Sequence, residues 1–473
     1  MGDEAAPSAP SRSPERGARG PSPVRRTIAT ACLGTLLVMV CYPMPMLNLP
    51  SLATGLGAGP GASTWLISGI SMGLGAALLP AGTLADNCGR KAVFTGGMAL
   101  LTAGTLACGL APTAGVFIAG RTVQGIGGAA VLATGLALID AASATRRQRI
   151  RGTGLWGAAL GAGLALGPVV VGAGAETAPW RAAYLVVAVA LAAVTVVGAV
   201  RLTESRAADP QPLDVPGALL AVLAVGSLMA LLSLRGPAWQ GALPWVLAGA
   251  AAVAAALFVA VERRTAHPLL PPALFRQAPF LGSIAAAAVT GIAVVGLLSY
   301  VPAVMQAALG TGTLATALYF LVWSGSSAVV AVVAPRLLSG VPARYQVAAG
   351  LAGCALGQAL LVLMSDGRPA AFALPGLAVC GVALGLVNAN LGRLAVETAP
   401  AGRGALGSGV SNTARYLGST AGLPVVILVV GLGGADPEGM LAGLHHAAFA
   451  AAAVALAGAA LVALLADRRA PRT

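Results

Sequence analysis

The stretch GTLADNCGRK, Gly82 to Lys91, sets one acid and two bases between two long apolar runs. Outward from it in both directions the chain is greasy: 57% of its 473 residues are hydrophobic and 9% charged, with a mean hydropathy of +0.86. A soluble domain carries about a quarter charged residues, so a soluble enzyme is excluded. Apolar runs of roughly 20 residues recur, the length needed to cross about 30 Å of hydrocarbon as helix. In lipid the backbone must bond to itself, and the period-2 alternation of a barrel is absent. The fold expected is an all-α integral membrane protein.

Fourteen spans are expected, near 27–48, 62–82, 92–111, 114–139, 153–173, 183–200, 214–234, 242–261, 281–305, 312–335, 346–364, 371–392, 406–431 and 443–466. The basic residues test this order, because Lys and Arg gather in cytoplasmic loops. Arg25, Arg26, Arg90, Lys91, Arg146, Arg147, Arg149, Arg151, Arg201, Arg206, Arg263, Arg264, Arg276, Arg336, Arg344, Arg393, Arg403, Arg468, Arg469 and Arg472 fall on one side. Arg181, Arg235 and Arg368 fall on the other. That bias predicts a multi-pass protein of the cell membrane with both termini cytoplasmic. GTLADNCGRK then becomes the tight cytoplasmic turn between spans two and three. Topology also accounts for the net charge of +13, so no nucleic-acid partner is expected.

Met1 to Arg26 is too poor in apolar residues to fold and reads as a disordered cytoplasmic tail, not a signal peptide. The six cysteines form no CxxC pair, and five lie within apolar runs, so neither disulfide nor metal site is expected.

The chain also repeats itself. An offset of 254 sets Leu84 on Leu338, Arg90 on Arg344, Val93 on Val347 and Gly96 on Gly350. An offset of 255 sets Gly154 on Gly409, Gly163 on Gly418 and Gly167 on Gly422, and Pro50 meets Pro302 at 252. Near-constant offsets at separated places predict two six-helix halves related by duplication. The expected organisation is a tail over 1–26, a first half over 27–205, an inserted two-helix hairpin with its linker over 206–264, a second half over 265–466 and a tail over 467–473.

Two six-helix halves in parallel repeat resemble the major facilitator superfamily. GTLADNCGRK looks like its signature between spans two and three, RTVQGIGGAA (Arg121 to Ala130) its fourth-span motif, and GLWGAALGAGLALGP (Gly154 to Pro168) the fifth-span motif of antiporters. PWRAAY, HPLLPPALFRQAPF and SNTARYLGSTAG resemble the fourteen-span drug:proton antiporter branch.

The resemblance implies a cytoplasmic gate formed by Gly82, Asp86, Gly89, Arg90 and Lys91, in which Asp86 latches one half against the other. Read without it, Arg90 and Lys91 are topology anchors. Arg121 stands within an apolar run, where a charge costs at least about 2.5 kcal/mol, so it is a functional candidate or else snorkels to the near surface. Gln124, one turn on, shares its face. With Asp140 the two form the coupling set. Gly157, Gly161, Gly163, Gly167 and Pro168 make a close-packing, kinked helix that the resemblance places between the halves.

Tyr42, Asn48, Tyr300, Gln306, Tyr319, Trp323, Asn388, Asn390 and Asn412 either line a substrate cavity or bond between helices. Such a cavity suits amphiphilic or uncharged compounds. One departure stands out. The branch carries an acid near the end of span one, where this chain has Cys41 or Tyr42 in VMVCYPMPMLNLPSL. No Asp or Glu lies deep in a core helix, and His445 and His446 sit near the outer end of span fourteen.

The expected function is a secondary active transporter exporting amphiphilic small molecules, drugs or antibiotics, by alternating access with proton antiport. A facilitator or importer of a small metabolite is the alternative. With three histidines and no catalytic grouping or nucleotide loop, an enzyme is not expected, and no cofactor is required. Partners are the small-molecule substrate, protons and the bilayer, for a monomer.

Overall fold

The structure, a computed structural model, describes residues 23–174, 179–206, 214–232, 234, 241–265, 268, 276–338, 340–398 and 404–465. Helices α1 (Pro23–Cys41), α2 (Pro60–Cys88), α3 (Arg90–Gly109), α4 (Ala114–Ala142), α5 (Arg146–Gly174) and α6 (Arg181–Arg201) build the first half. Helices α7 (Val215–Leu232) and α8 (Leu243–Arg264) pair as a hairpin. The second half holds α9 (Ala278–Val289), α10 (Thr313–Leu337), α11 (Ala343–Ala359), α12 (Leu374–Thr398), α13 (Gly404–Leu432) and α14 (Pro437–Leu465). Thirteen spans among the described residues are long and apolar enough to cross a membrane, and the shorter apolar stretch Val215–Leu228 brings the number close to the expected fourteen.

Residues 1–22 and 466–473, most of the two expected tails, lie outside the described residues, as does most of HPLLPPALFRQAPF. Pro23 to Arg26, expected in the tail, open α1 instead. Proline is tolerated in the first turn, where its N–H would have no helical partner.

Two expected spans are interrupted. Span one breaks after Cys41 and continues as the short helices Met44–Leu47 and Leu49–Gly55. Pro45 has no N–H for the Cys41 carbonyl, and Met46 bonds back to Pro43 at 3.0 Å, so the Tyr42 carbonyl is also left over. Span nine widens into a π turn over Thr290–Val295, resumes over Gly296–Leu298 and restarts as Val301–Ala308, where Pro302 has no N–H to donate.

Two apolar cores form, the first reaching across the seam to Tyr416 and Leu423. One gathers Phe94, Met98, Phe117 and Tyr184, the other Val294, Leu297, Leu351 and Leu377. The halves meet where α2 packs on α13 and α5 on α10. The repeat is visible atom by atom. A Cβ on Gly163 would strike the Leu36 carbonyl, and one on Gly418 the Ala288 carbonyl, 252 residues after Leu36. Gly167 faces Val40 and Gly422 faces Ile292, again 252 apart. Hydrogen side chains at these four positions let α5 lie on α1 as α13 lies on α9 and the π turn that follows it.

On the face opposite the basic loops, PWRAAY ties the first half together. Trp180 and Tyr184 both stand edge-on to Phe117, at 5.9 and 5.4 Å between centroids. Arg181 lies 4.3 Å over the Trp180 ring and donates to the Ala111 carbonyl at 3.0 Å.

Candidate functional site

The interruption in α1 creates the centre of the site. Two carbonyls freed by the Pro43 and Pro45 positions need donors, and in a membrane no water is at hand to supply them. Arg121 of α4 supplies both, its Nη1 donating to Cys41 at 2.8 Å and its Nη2 to Tyr42 at 3.0 Å. Nη1 also donates to Gln124 Oε1 at 2.8 Å, and Gln124 Nε2 donates to Thr105 Oγ1 on α3 at 2.8 Å. Arg121 and Gln124 are both 0% exposed. The charge therefore does not snorkel to the surface. It is held inside the protein by the bonds of its two Nη atoms, while Nε is buried without a partner among the described residues.

Tyr42 carries the network across the molecule. Its hydroxyl accepts from Ser71 Oγ of α2 at 2.9 Å and lies 3.0 Å from Ser419 Oγ of α13. Its ring stands 6.1 Å from that of Tyr416. A second bond between the halves runs from Gln306 Nε2 to the Leu47 carbonyl at 2.6 Å. The Gln306 bond lies toward the face opposite the basic loops, and the Tyr42–Ser419 bond nearer the middle of α2 and α13.

Beside Tyr416 sits a second charge. Arg415 is the twelfth residue of the 29-residue α13, well inside the helix, and is half-buried. It donates to Asn388 Oδ1 at 3.2 Å, Asn412 Oδ1 at 3.1 Å and the Tyr416 hydroxyl at 3.3 Å. Sequence reasoning passed over it although SNTARYLGSTAG contains it. The signal was the one used for Arg121, a lone charge in an apolar run. Ser71, Ser419 and Thr105 carried no such signal, since a hydroxyl in a helix usually bonds to its own backbone.

The other expected residues scatter. In the turn, Gly89 has φ +113°, a conformation suited to glycine, and its N–H caps α2 at the Ala85 carbonyl at 3.0 Å. Asp86 pairs with Arg90 at 3.3 Å, and Arg90 reaches the Ala137 carbonyl of α4 at 3.4 Å. In this conformation both contacts stay within the first half. Glu204, which the sequence reading did not single out, accepts from the Lys91 and Ala92 N–H groups at 2.9 and 3.2 Å. A carboxylate at the first turn of α3 complements the helix dipole. A methyl group on Gly82 would meet nothing within 4 Å, so its smallness is not forced by packing here.

Asp140 lies in the last turn of α4, bonded to Arg149 at 2.5 Å, some 19 residues and about 28 Å along the helix from Arg121. The structure does not bring it to Arg121 and Gln124. In α5, Gly163 and Gly167 pack on α1, Gly161 packs on Ala328 of α10, and Gly157 faces open space, while Pro168 sits inside an unbroken helix.

Among the cavity candidates, Tyr42 and Asn48 are buried, Asn48 near the Tyr184 hydroxyl. Tyr300 packs against both cores, and Tyr319 and Trp323 against that of the second half. Asn388 and Asn412 meet at Arg415. Asn390 is 2% exposed and donates to Gln346 Oε1 of α11 at 2.9 Å, an interhelical bond within the second half. No group of three or more potential metal ligands occurs among the described residues.

The comparisons with known proteins agree with this architecture. A family model described as Major Facilitator Superfamily matches residues 31–423. The multidrug resistance protein Stp of Mycobacterium tuberculosis is 31% identical over 402 residues, covering 85% of this chain and 74% of its own. The multidrug efflux pump LfrA of Mycolicibacterium smegmatis is 27% identical over 448 residues, covering 93% and 88%. The methylenomycin A resistance protein of Streptomyces coelicolor is 36% identical over 226 residues, covering 46% of each. The crystal structure of the human organic anion transporter MFSD10 (TETRAN) shares the fold, with a TM-score of 0.63 at 17% identity over 93% of this chain and all of that one.

Proposed function

The chain belongs to the major facilitator superfamily, and we propose that it exports amphiphilic small molecules, drugs or antibiotics, from the cytoplasm by alternating access in exchange for protons. It is a multi-pass membrane transporter. The observation that carries the alternating-access reading is the seam between the halves. Tyr42 to Ser419 and Gln306 to Leu47 are bonds that a rocking motion breaks and remakes. The names of Stp and LfrA support drugs as the cargo.

In this reading the termini and the basic loops are cytoplasmic, in the cell membrane. Gly82, Asp86, Gly89, Arg90 and Lys91 form the cytoplasmic gate. Arg121 and Gln124 couple the proton to the motion through Tyr42, with Asp140 the third member of the coupling set at the cytoplasmic end. Gly161 of α5, packed on Ala328 of α10, helps seal the seam, while Gly163, Gly167 and Pro168 hold α5 on α1, and the aromatic and amide residues around Tyr42 and Asn388 receive the substrate. The protein acts as a monomer.

The test compares cells lacking and overproducing the protein across a panel of toxic compounds, then follows the responsive compounds into everted membrane vesicles. Overproduction raises resistance, and vesicle uptake falls when the pH gradient is collapsed. Unchanged resistance across the panel overturns export. Uptake indifferent to the pH gradient overturns proton exchange.

A further inference from the structure

Arg415 is a charge well inside an apolar helix with no carboxylate among the described residues to balance it. Among the described residues it forms no ion pair, and its three bonds go to neutral oxygens, those of Asn388, Asn412 and Tyr416. A guanidinium has five N–H donors in a planar fork, so Nε–H and one Nη1–H remain to be used. The side chain is half-buried and so keeps a path to a ligand or water.

Its position says where that ligand would be. Arg415 and Ser419 are one helical turn apart on the same face of α13, and Ser419 touches Tyr42 of the other half. Arg415 therefore stands on the face that α13 turns toward the other half, beside the seam that transport must open.

The acids tell the same story. All Asp and Glu residues of the spans, such as Asp86, Asp140, Glu262 and Glu397, stand in terminal turns. Among the described residues the membrane core holds fixed cations and no fixed anion. Arg121 likewise makes three bonds to neutral oxygens, those of Cys41, Tyr42 and Gln124, but it is fully buried, whereas the half-buried Arg415 is open to a ligand.

Building on the export reading above, we infer that Arg415, held in orientation by Asn388, Asn412 and Tyr416, receives the anionic group of an amphiphilic substrate. The planar fork suits a carboxylate or a similar oxyanion, and the Tyr416 ring, 5.0 Å from the guanidinium and 6.1 Å from the Tyr42 ring, gives the site an apolar wall toward the seam. A cationic amphiphile is repelled at the same place. The charge also bears on the energetics of export. A potential of about 100 mV, negative inside, favours outward movement of one negative charge by about fifty-fold.

The test measures binding, so that a failure of transport does not decide it. Full-length protein in nanodiscs of phosphatidylcholine is titrated calorimetrically with 1-naphthoate, 1-naphthylmethanol and 1-naphthylmethylammonium, three probes of one shape and different charge. The wild type binds naphthoate about tenfold or more tightly than the ammonium probe, the range of a charge-assisted hydrogen bond. Arg415→Gln removes that preference while binding of the neutral alcohol changes less than about threefold, and Arg415→Lys keeps part of it. Equal or tighter binding of the cation by the wild type overturns the assignment, as does binding of none of the probes or a preference that survives Arg415→Gln. Should Arg415→Gln fail to fold, the wild-type series alone still decides, because only the probe's charge changes.

Discussion

The first helix of each half is interrupted at the same place in the repeat, and the two interruptions are completed differently. In α1 the Cys41 and Tyr42 carbonyls take the guanidinium of Arg121. In span nine the Ala293 carbonyl, 252 residues after Cys41, takes the amide of Gln358 at 2.9 Å, and Gln358 lies 253 residues after Thr105. In each half a fully buried side chain from a neighbouring helix bonds a carbonyl at the interruption. Only the first half does so with a charge, whose field in a low-dielectric interior reaches well beyond its hydrogen bonds. Duplicated backbones thus keep their geometry while the chemistry placed on them diverges, and the proposal that coupling runs through the first half rests on that asymmetry.

The largest expected effect breaks the charged member of the pair. Arg121→Ala leaves two carbonyls and Gln124 Oε1 without their donor, a loss of about 3 kcal/mol or more, and abolishes uptake driven by a pH gradient in everted vesicles. Arg121→Lys restores the charge without the fork and recovers part of that uptake. Full response to the gradient in Arg121→Ala places coupling elsewhere, with Asp140 the next residue to substitute.

Next comes the packing that the halves share. Gly167→Val and Gly422→Val each drive a side chain into a carbonyl of the neighbouring helix and lower thermal stability comparably, by about 1 to 3 kcal/mol, while Gly157→Val, facing open space, leaves it unchanged. A large difference between the first two would show that the two α-helical pairs are not equivalent.

The neutral member of the pair should matter less. Gln358→Leu strands one carbonyl, costs about 1 to 2 kcal/mol of stability and leaves the pH response of transport intact, in contrast to Arg121→Ala. Smaller again is Asp86→Asn. Its pair with Arg90 is partly exposed and contributes less than about 1 kcal/mol, so a strong loss of efflux at normal stability would report gating alone.

The spans, the repeat and the turn at Gly89 were legible in the sequence because hydropathy, offset and glycine act locally. Gly163 and Gly418 could be paired by number before either was seen to face a carbonyl. The partners of Arg121 were not legible. They are backbone atoms released by Pro43 and Pro45, which a reading of side chains does not register. The breaks in spans one and nine were hidden for a related reason, since an apolar run stays apolar whether or not its helix is continuous. Arg415 was readable and overlooked, and Glu204 reaches Lys91 across 113 residues of chain, a distance no local pattern spans.

The central claim is that transport requires the seam between the halves to open, and it can be locked. With the six native cysteines replaced, Leu47→Cys and Gln306→Cys place thiols on the two sides of the bond between Gln306 and the Leu47 carbonyl. Efflux is measured before and after a short reducible cross-linker, and again after reduction. The account predicts that cross-linking stops efflux and that reduction restores it. Undiminished efflux from fully cross-linked protein would contradict alternating access at this seam.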